Sequence, residues 1–158
     1  MMTKADLLAK ALDEFLAVSM DVEAAAVVSA DGLPMASALP PHVEEDRLAA
    51  MSAALLTLGD RAADELGKNK LEQVFVEGRD GYVILMSAGP NAVLVAVAAK
   101  GAKIGLVLFE MRRAASTIGG VMESTTENRE VISAAEIPPL ESPQPVAVES
   151  ESSGLAWR

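Results

Sequence analysis

Residues able to do chemistry are few in this chain and poorly spaced for it. His42 is the single histidine of a cysteine-free sequence, so neither a His-centred triad nor a two-histidine metal site can form within one chain. It stands beside Pro40-Pro41, ahead of a helical pattern, and reads as a solvated residue or a cap. Glu44-Glu45-Asp46 could hold a cation, but acids in a first helical turn already suit the positive end of the helix dipole, and that reading is preferred. Neither Gly101 nor Gly119-Gly120 belongs to a G-x-x-x-x-G-K-S/T frame, so no phosphate cradle is present. The eight methionines read as core filler. No catalytic, metal-binding or cofactor-binding residue is assigned, and no cofactor is expected.

The element that organises the chain runs from His42 to Gly67. Leu48, Met51, Leu55, Leu58, Ala62 and Leu66 recur at alternating three- and four-residue steps, one face of a helix. Beside them lies a stripe of mostly small residues: Ala49, Ser52, Leu56, Gly59 and Ala63. Together the stripes cover roughly half of the circumference, more than the ~100° needed to cover one sheet. Two packing partners are expected: the helix's own sheet, and a second helix that comes close. A single broad core stripe in a monomer is the alternative.

Composition bounds what surrounds that helix. The 158 residues suffice for one domain, and with five aromatics the core must be built from Ala, Val, Leu and Met. The absence of cysteine fits a reducing cytoplasm. A net charge of −10 argues against nucleic acid, whose phosphates need clustered Lys and Arg, and against anionic membranes. Neither a signal peptide nor an apolar run of about 18 residues is seen, so a cytoplasmic protein with no membrane insertion is expected. Residues 1–118 carry 16 acids and 11 bases, whereas 119–158 carry 7 and 2. The last stretch therefore holds half of the net charge in a quarter of the length. It is rich in Pro, Ser and Glu and cannot bury enough apolar surface to offset its ordering entropy. The expected division is a domain over 1–120 and a flexible tail over 121–158. Gly154-Leu155-Ala156-Trp157 is either a docking motif or an accidental terminal Trp.

In chain order, Thr3 and Asp6 form a capping box ahead of a helix reaching Val18, with Leu8, Leu12, Phe15 and Leu16 on one face. Ala24–Ser29 and Leu33–Leu39 flank Asp31-Gly32, which predicts a type I′ hairpin. Pro34 marks the second strand as irregular or on an edge. After the organising helix, Leu71–Glu77, Tyr82–Met86 and Ala92–Ala98 read as three strands, joined through Gly78-Arg79-Asp80-Gly81 and Gly89-Pro90-Asn91. Ile104, Val107, Leu108, Met111, Ala115 and Ile118 trace a last helix, which Gly119-Gly120 should stop. The order helix, hairpin, helix, three-strand meander, helix predicts an α+β domain with a five-stranded antiparallel sheet and helices packed on it.

Ala26-Val27-Val28-Ser29-Ala30-Asp31-Gly32-Leu33-Pro34 resembles the opening hairpin of Roadblock domains, the family that includes the Roadblock-type dynein light chains. The likeness continues through the Ala-rich helix with Ala49, Leu55 and Gly59. It extends to Gly81-Tyr82-Val83-Ile84-Leu85, Lys103-Ile104-Gly105-Leu106-Val107 and Arg112-Arg113-Ala114-Ala115. It spans roughly residues 4–118 and rests on the order of packing and turn residues, not on one motif. It implies a profilin-like layered sandwich and a dimer formed through the second helix and third strand, which joins two sheets into one.

It also implies a partner, since bacterial and archaeal members commonly accompany small Ras-like GTPases and some activate their hydrolysis. The expected role is a non-enzymatic homodimeric regulator of such a GTPase. The alternatives are a scaffold without effect on hydrolysis and, further off, a GAF- or PAS-like sensor. The expected dimer seam is Ala49, Ala53, Leu56 and Ala63 with Val74 and Val76. The GTPase is expected to touch Arg47, Asp60, Arg61 and Asp64, and either arginine could in principle act as a finger.

Overall fold

The computed structural model describes residues 1–136, with side chains placed through Ser124. Its first helix, α1 (Lys4–Val18), begins at the expected capping box. The Asp6 N–H donates to Thr3 Oγ1 at 3.2 Å, and Asp6 Oδ2 accepts from the Thr3 N–H at 2.9 Å, so two donors of the first turn are satisfied. Leu8, Ala11, Leu12 and Phe15 are buried along one face.

These bonds from Thr3, its backbone N–H first, hold the Asp6 carboxyl below the usual carboxylate range. A depressed folded-state value means that the cap stabilises the fold above the unfolded-chain pKa. The contribution is lost as pH falls through the folded value. Asp6→Ala should therefore lower the melting temperature at neutral pH, with the gap to the parent closing in acid. A gap that stayed constant across a pH series of melts would contradict this.

Five strands follow: β1 (Val22–Ser29), β2 (Pro34–Ala38), β3 (Gln73–Gly78), β4 (Gly81–Ser87) and β5 (Ala92–Ala99). They form one antiparallel sheet in the order β2-β1-β5-β4-β3. The second helix, α2 (Glu45–Glu65), crosses one face of the sheet. Helix α1 packs on the other face beside α3 (Ile104–Glu136). The layered α+β architecture expected from the element order is the one observed.

Alternation along the central strands feeds both faces. Ala25, Val27, Ile84, Leu94 and Ala96 point to α1 and α3, while Ala26, Val28, Leu85, Val93 and Val95 point to α2. Leu8, Leu12, Ile84, Leu85, Leu94, Met111 and Ile118 are each less than 2% exposed. Each such side chain contributes about 1.5–3 kcal/mol of burial.

Two expectations are corrected. The β1–β2 turn is not type I′, which needs positive φ at both central residues. Of its residues, Gly32 alone has positive φ, at 85°. The Gly32 N–H donates to the Ser29 carbonyl at 3.0 Å and the Ser29 N–H to the Leu33 carbonyl at 2.8 Å. This is the pattern of a type I turn closed by a glycine bulge.

Nor does Gly119-Gly120 stop the last helix, which continues to Glu136, so the boundary drawn at residue 120 falls inside α3. Gly119 instead packs against the β4–β5 turn: a Cβ there would meet the Ala88 carbonyl and the Gly89 nitrogen at 3.6 Å, ordinary van der Waals contact. Ile118 and Met122, buried on either side of it, carry the helical face onward. Residues 137–158, with the remainder of the expected tail and Trp157, lie outside the described residues.

Candidate partner-binding face

Helix α2 starts after Glu44, with Glu45 and Asp46 in its first turn, where their charge opposes the dipole. His42 lies exposed ahead of it. At the other end the Gly67 N–H donates to the Asp64 carbonyl at 3.0 Å and the Lys68 N–H to Ala63 at 2.8 Å. That pair of bonds is a Schellman closure.

Both stripes read from the sequence exist, but their roles are exchanged. The small residues face the helix's own sheet: Ala49 is fully buried and Ser52 nearly so. Leu48 and Leu56 pack partly buried against the same cluster. Gly59 lies so close to β3 that a Cβ would come within 2.9 Å of Val74 Cγ2 and 3.0 Å of Leu71 Cδ2. The large residues are left open, with Met51 at 52%, Leu55 at 39% and Leu58 at 62% exposure. The cause is volume. The sheet already offers Val28, Leu85, Val93 and Val95 on this side, and a face of alanine, serine and glycine lets the helix settle between them at interior density.

The open ridge has a defined direction. Gly59 marks the flank of α2 nearest β3, and at 100° per residue Leu55, Leu58 and Ala62 lie further round that same flank. Ala53 lies on the opposite flank, beside Gly32 of the hairpin turn. The ridge therefore overhangs the β3 side of the sheet. Strand β3 is an edge, with Val76 at 39% and Phe75 at 41% exposure. Phe75 rests on Tyr82, ring centroids 5.2 Å apart. The opposite edge differs. β2 begins at Pro34, and its pairing with β1 is interrupted between Val27 and Val28. Proline and a bulge blunt an edge against further pairing. β3 has neither, and its register with β4 is unbroken from Gln73 to Gly78.

The residues expected at the seam are thus divided. Ala49 is spent on the monomer's own core, and Leu56, Ala63 and Val74 are half-buried. Ala53 lies on the hairpin flank, while Val76 is on the open edge. Met51, Leu55, Leu58 and Phe75 were missed as surface residues. A signal was present in the sequence: the strands are already rich in Val and Leu, which leaves the small stripe as the better fit to them.

Of the charged residues, Asp60, Arg61 and Asp64 are brought together with Asn69 and Lys70 around a depression of about 320 Å³. Arg47 stands fourteen residues before Arg61, about 21 Å along the axis. It is paired with Glu44 at 3.3 Å on an exposed turn, a contact worth little in water. Among the described residues no group of three His, Asp or Glu is placed to hold a metal ion. No described helix is long and apolar enough to cross a membrane.

Comparison with known proteins agrees with this architecture. The family model for the Roadblock/LC7 domain matches residues 8–98. The uncharacterized protein MJ0714 of Methanocaldococcus jannaschii is 36% identical over 97 residues, which cover 61% of this chain and 81% of that protein. Among solved structures, the gliding protein MglB of Thermus thermophilus superposes with a TM-score of 0.71 at 21% identity, covering 78% of this chain and 94% of that one. A Roadblock/LC7 domain from Streptomyces avermitilis gives 0.68 at 22% identity, over 73% and 97%. Profilin IA of Acanthamoeba castellanii gives 0.53 at 16% identity, over 71% and 96%, so the layered sheet is profilin-like as expected. These structural likenesses concern the fold. With the family match spanning more than half of its length, the chain belongs to the Roadblock/LC7 domain family.

Proposed function

We propose that this chain is a homodimeric, non-catalytic regulator of a small Ras-like GTPase. The observation that carries the dimer is the juxtaposition of an unblunted strand edge, β3, with the apolar ridge of α2 on the same side of the sheet. An open edge invites strand pairing, and a contiguous exposed apolar patch marks an interaction surface. A two-fold axis across β3 would pair the edges and bring the two ridges together, a self-complementary contact. In this reading the seam is Met51, Leu55, Leu58 and Val76, in place of the alanines.

The GTPase rests on family membership, since Roadblock domains in bacteria and archaea commonly accompany such proteins. A regulator can speed hydrolysis by ordering the switch loops or by lending an arginine to the transition-state charge. The group around Asp60, Arg61 and Asp64 lies at the exposed C-terminal end of α2 and suits the first of these, as a polar rim beside the seam.

GTP turnover by a Ras-like GTPase encoded beside this chain tests the proposal, with binding measured in parallel. Faster turnover in the presence of the dimer is expected. Arg61→Ala should weaken binding by roughly 3- to 10-fold, as rim residues do, with the saturated rate kept. A loss of about 10³-fold or more in the saturated rate would make Arg61 a finger. Binding without any change in turnover would assign the chain to scaffolding instead.

A further inference from the structure

On the face of the sheet opposite α2, helices α1 and α3 leave between them a groove of about 820 Å³, large enough for several side chains of a peptide. Its wall carries Phe109 and Val18, 53% and 58% exposed, and Phe15 lines it from the core. Arg112 and Arg113 stand on its rim together with Glu14 and Glu110, and neither arginine forms an ion pair with these or other carboxylates among the described residues. The groove thus offers an aromatic–aliphatic wall beside two guanidiniums that the rim carboxylates Glu14 and Glu110 leave unpaired among the described residues. An occupant that matches would carry an aromatic or large aliphatic anchor preceded by carboxylates.

The chain itself contains such a segment. Residues 149–158 read Glu-Ser-Glu-Ser-Ser-Gly-Leu-Ala-Trp-Arg, with the sequence's single tryptophan two positions from a leucine and shortly after two glutamates. We propose that this segment folds back into the α1/α3 groove of its own chain. Trp157 and Leu155 would lie against Phe109 and Val18, and Glu149 and Glu151 would face Arg112 and Arg113.

Length permits it. From Arg113 to Glu136 the helix covers about 35 Å at 1.5 Å per residue. The 18 residues from 137 to 154 can span about 60 Å when extended. The return path is therefore closed with slack, and a tethered ligand meets its site at a high effective concentration. Docking here leaves the α2 and β3 face free, so the inference does not depend on the proposed dimer.

Trp157 is its own reporter. In the full chain its emission should be blue-shifted, and its quenching by acrylamide several-fold weaker than in a free peptide of residues 149–158, with both independent of protein concentration. Phe109→Glu together with Arg113→Glu should restore the emission and quenching of the free peptide. Arg79→Glu, a charge reversal in a distant turn, should leave the parent values. Phe109 and Arg113 are both exposed, and unchanged far-ultraviolet circular dichroism would show that the double variant folds.

Three results would overturn the proposal. The first is a Trp157 as open to acrylamide as the peptide's. The second is protection that survives the double variant, which would place the segment elsewhere. The third is protection that grows with protein concentration, which would assign it to a second copy.

Discussion

Glutamates in place of Leu55 and Leu58 together are expected to leave the fold intact and abolish self-association. Both side chains are exposed in the isolated chain, at 39% and 62%, and leucine and glutamate differ little in helix propensity. The subunit's own stability should therefore change by no more than about 0.5 kcal/mol per site. In the proposed dimer the same positions lie in an apolar seam, and two-fold symmetry places four carboxylates there. A seam residue that acts as a hot spot costs about 2 kcal/mol or more on truncation, and each substitution counts twice. The dimer dissociation constant should rise by at least about 10³-fold. Sedimentation at micromolar concentration reads this directly. A double variant that still sediments as a dimer would move the seam off α2.

Gly81→Ala should cost more stability than a methyl group added at any other described glycine. Gly81 opens β4 with φ 154°, a conformation that side chains rarely adopt, and a Cβ there would run into the carbonyl of Ala98 on β5. The obstacle is backbone of the central strand β5, at the end of its ladder with β4, where Gly81 pairs with Ala99 and Tyr82 with Ala98. It cannot swing aside as a side-chain tip can. Combining the conformational cost with displacement of a ladder gives about 3 kcal/mol or more. For a chain of this size that is roughly 10 °C in melting temperature. Gly105→Ala is the matched control. It lies in the first turn of α3 with nothing within 4 Å of the added carbon, and alanine in a helix is favoured over glycine by roughly 0.5–1 kcal/mol. Thermal melts of the two variants should shift in opposite directions. A Gly81→Ala protein that melted with the parent would mean that β4 and β5 are less closely joined at this point.

These two positions also mark how far the sequence could be read. Gly78-Arg79-Asp80-Gly81 between two apolar runs announces a hairpin from local chemistry alone. What no local reading supplies is that Gly81 lies against Ala98, which comes from a strand that has yet to be reached along the chain. Thr3 with Asp6, and the order of helices and strands, are likewise local, because caps and periodicity are settled by neighbours within a turn or two. That the sequence holds one histidine and no G-x-x-x-x-G-K-S/T frame is read in the same way, from residue types and spacing alone.

Periodicity fixed the two stripes of α2 and their angular width but not which of them turns inward. That choice compares the volume of the helix face with the volume on the sheet, and the sheet's share comes from Val28, Leu85, Val93 and Val95 on three separate strands. The same reason explains Gly119-Gly120. Taken alone, the pair reads as a stop. In the fold Gly119 touches the backbone of Ala88 and Gly89 while Gly120 faces open space, and the helix runs on. Local geometry is written in consecutive residues. Packing is a match between two surfaces, and only one of them lies in any given stretch of chain.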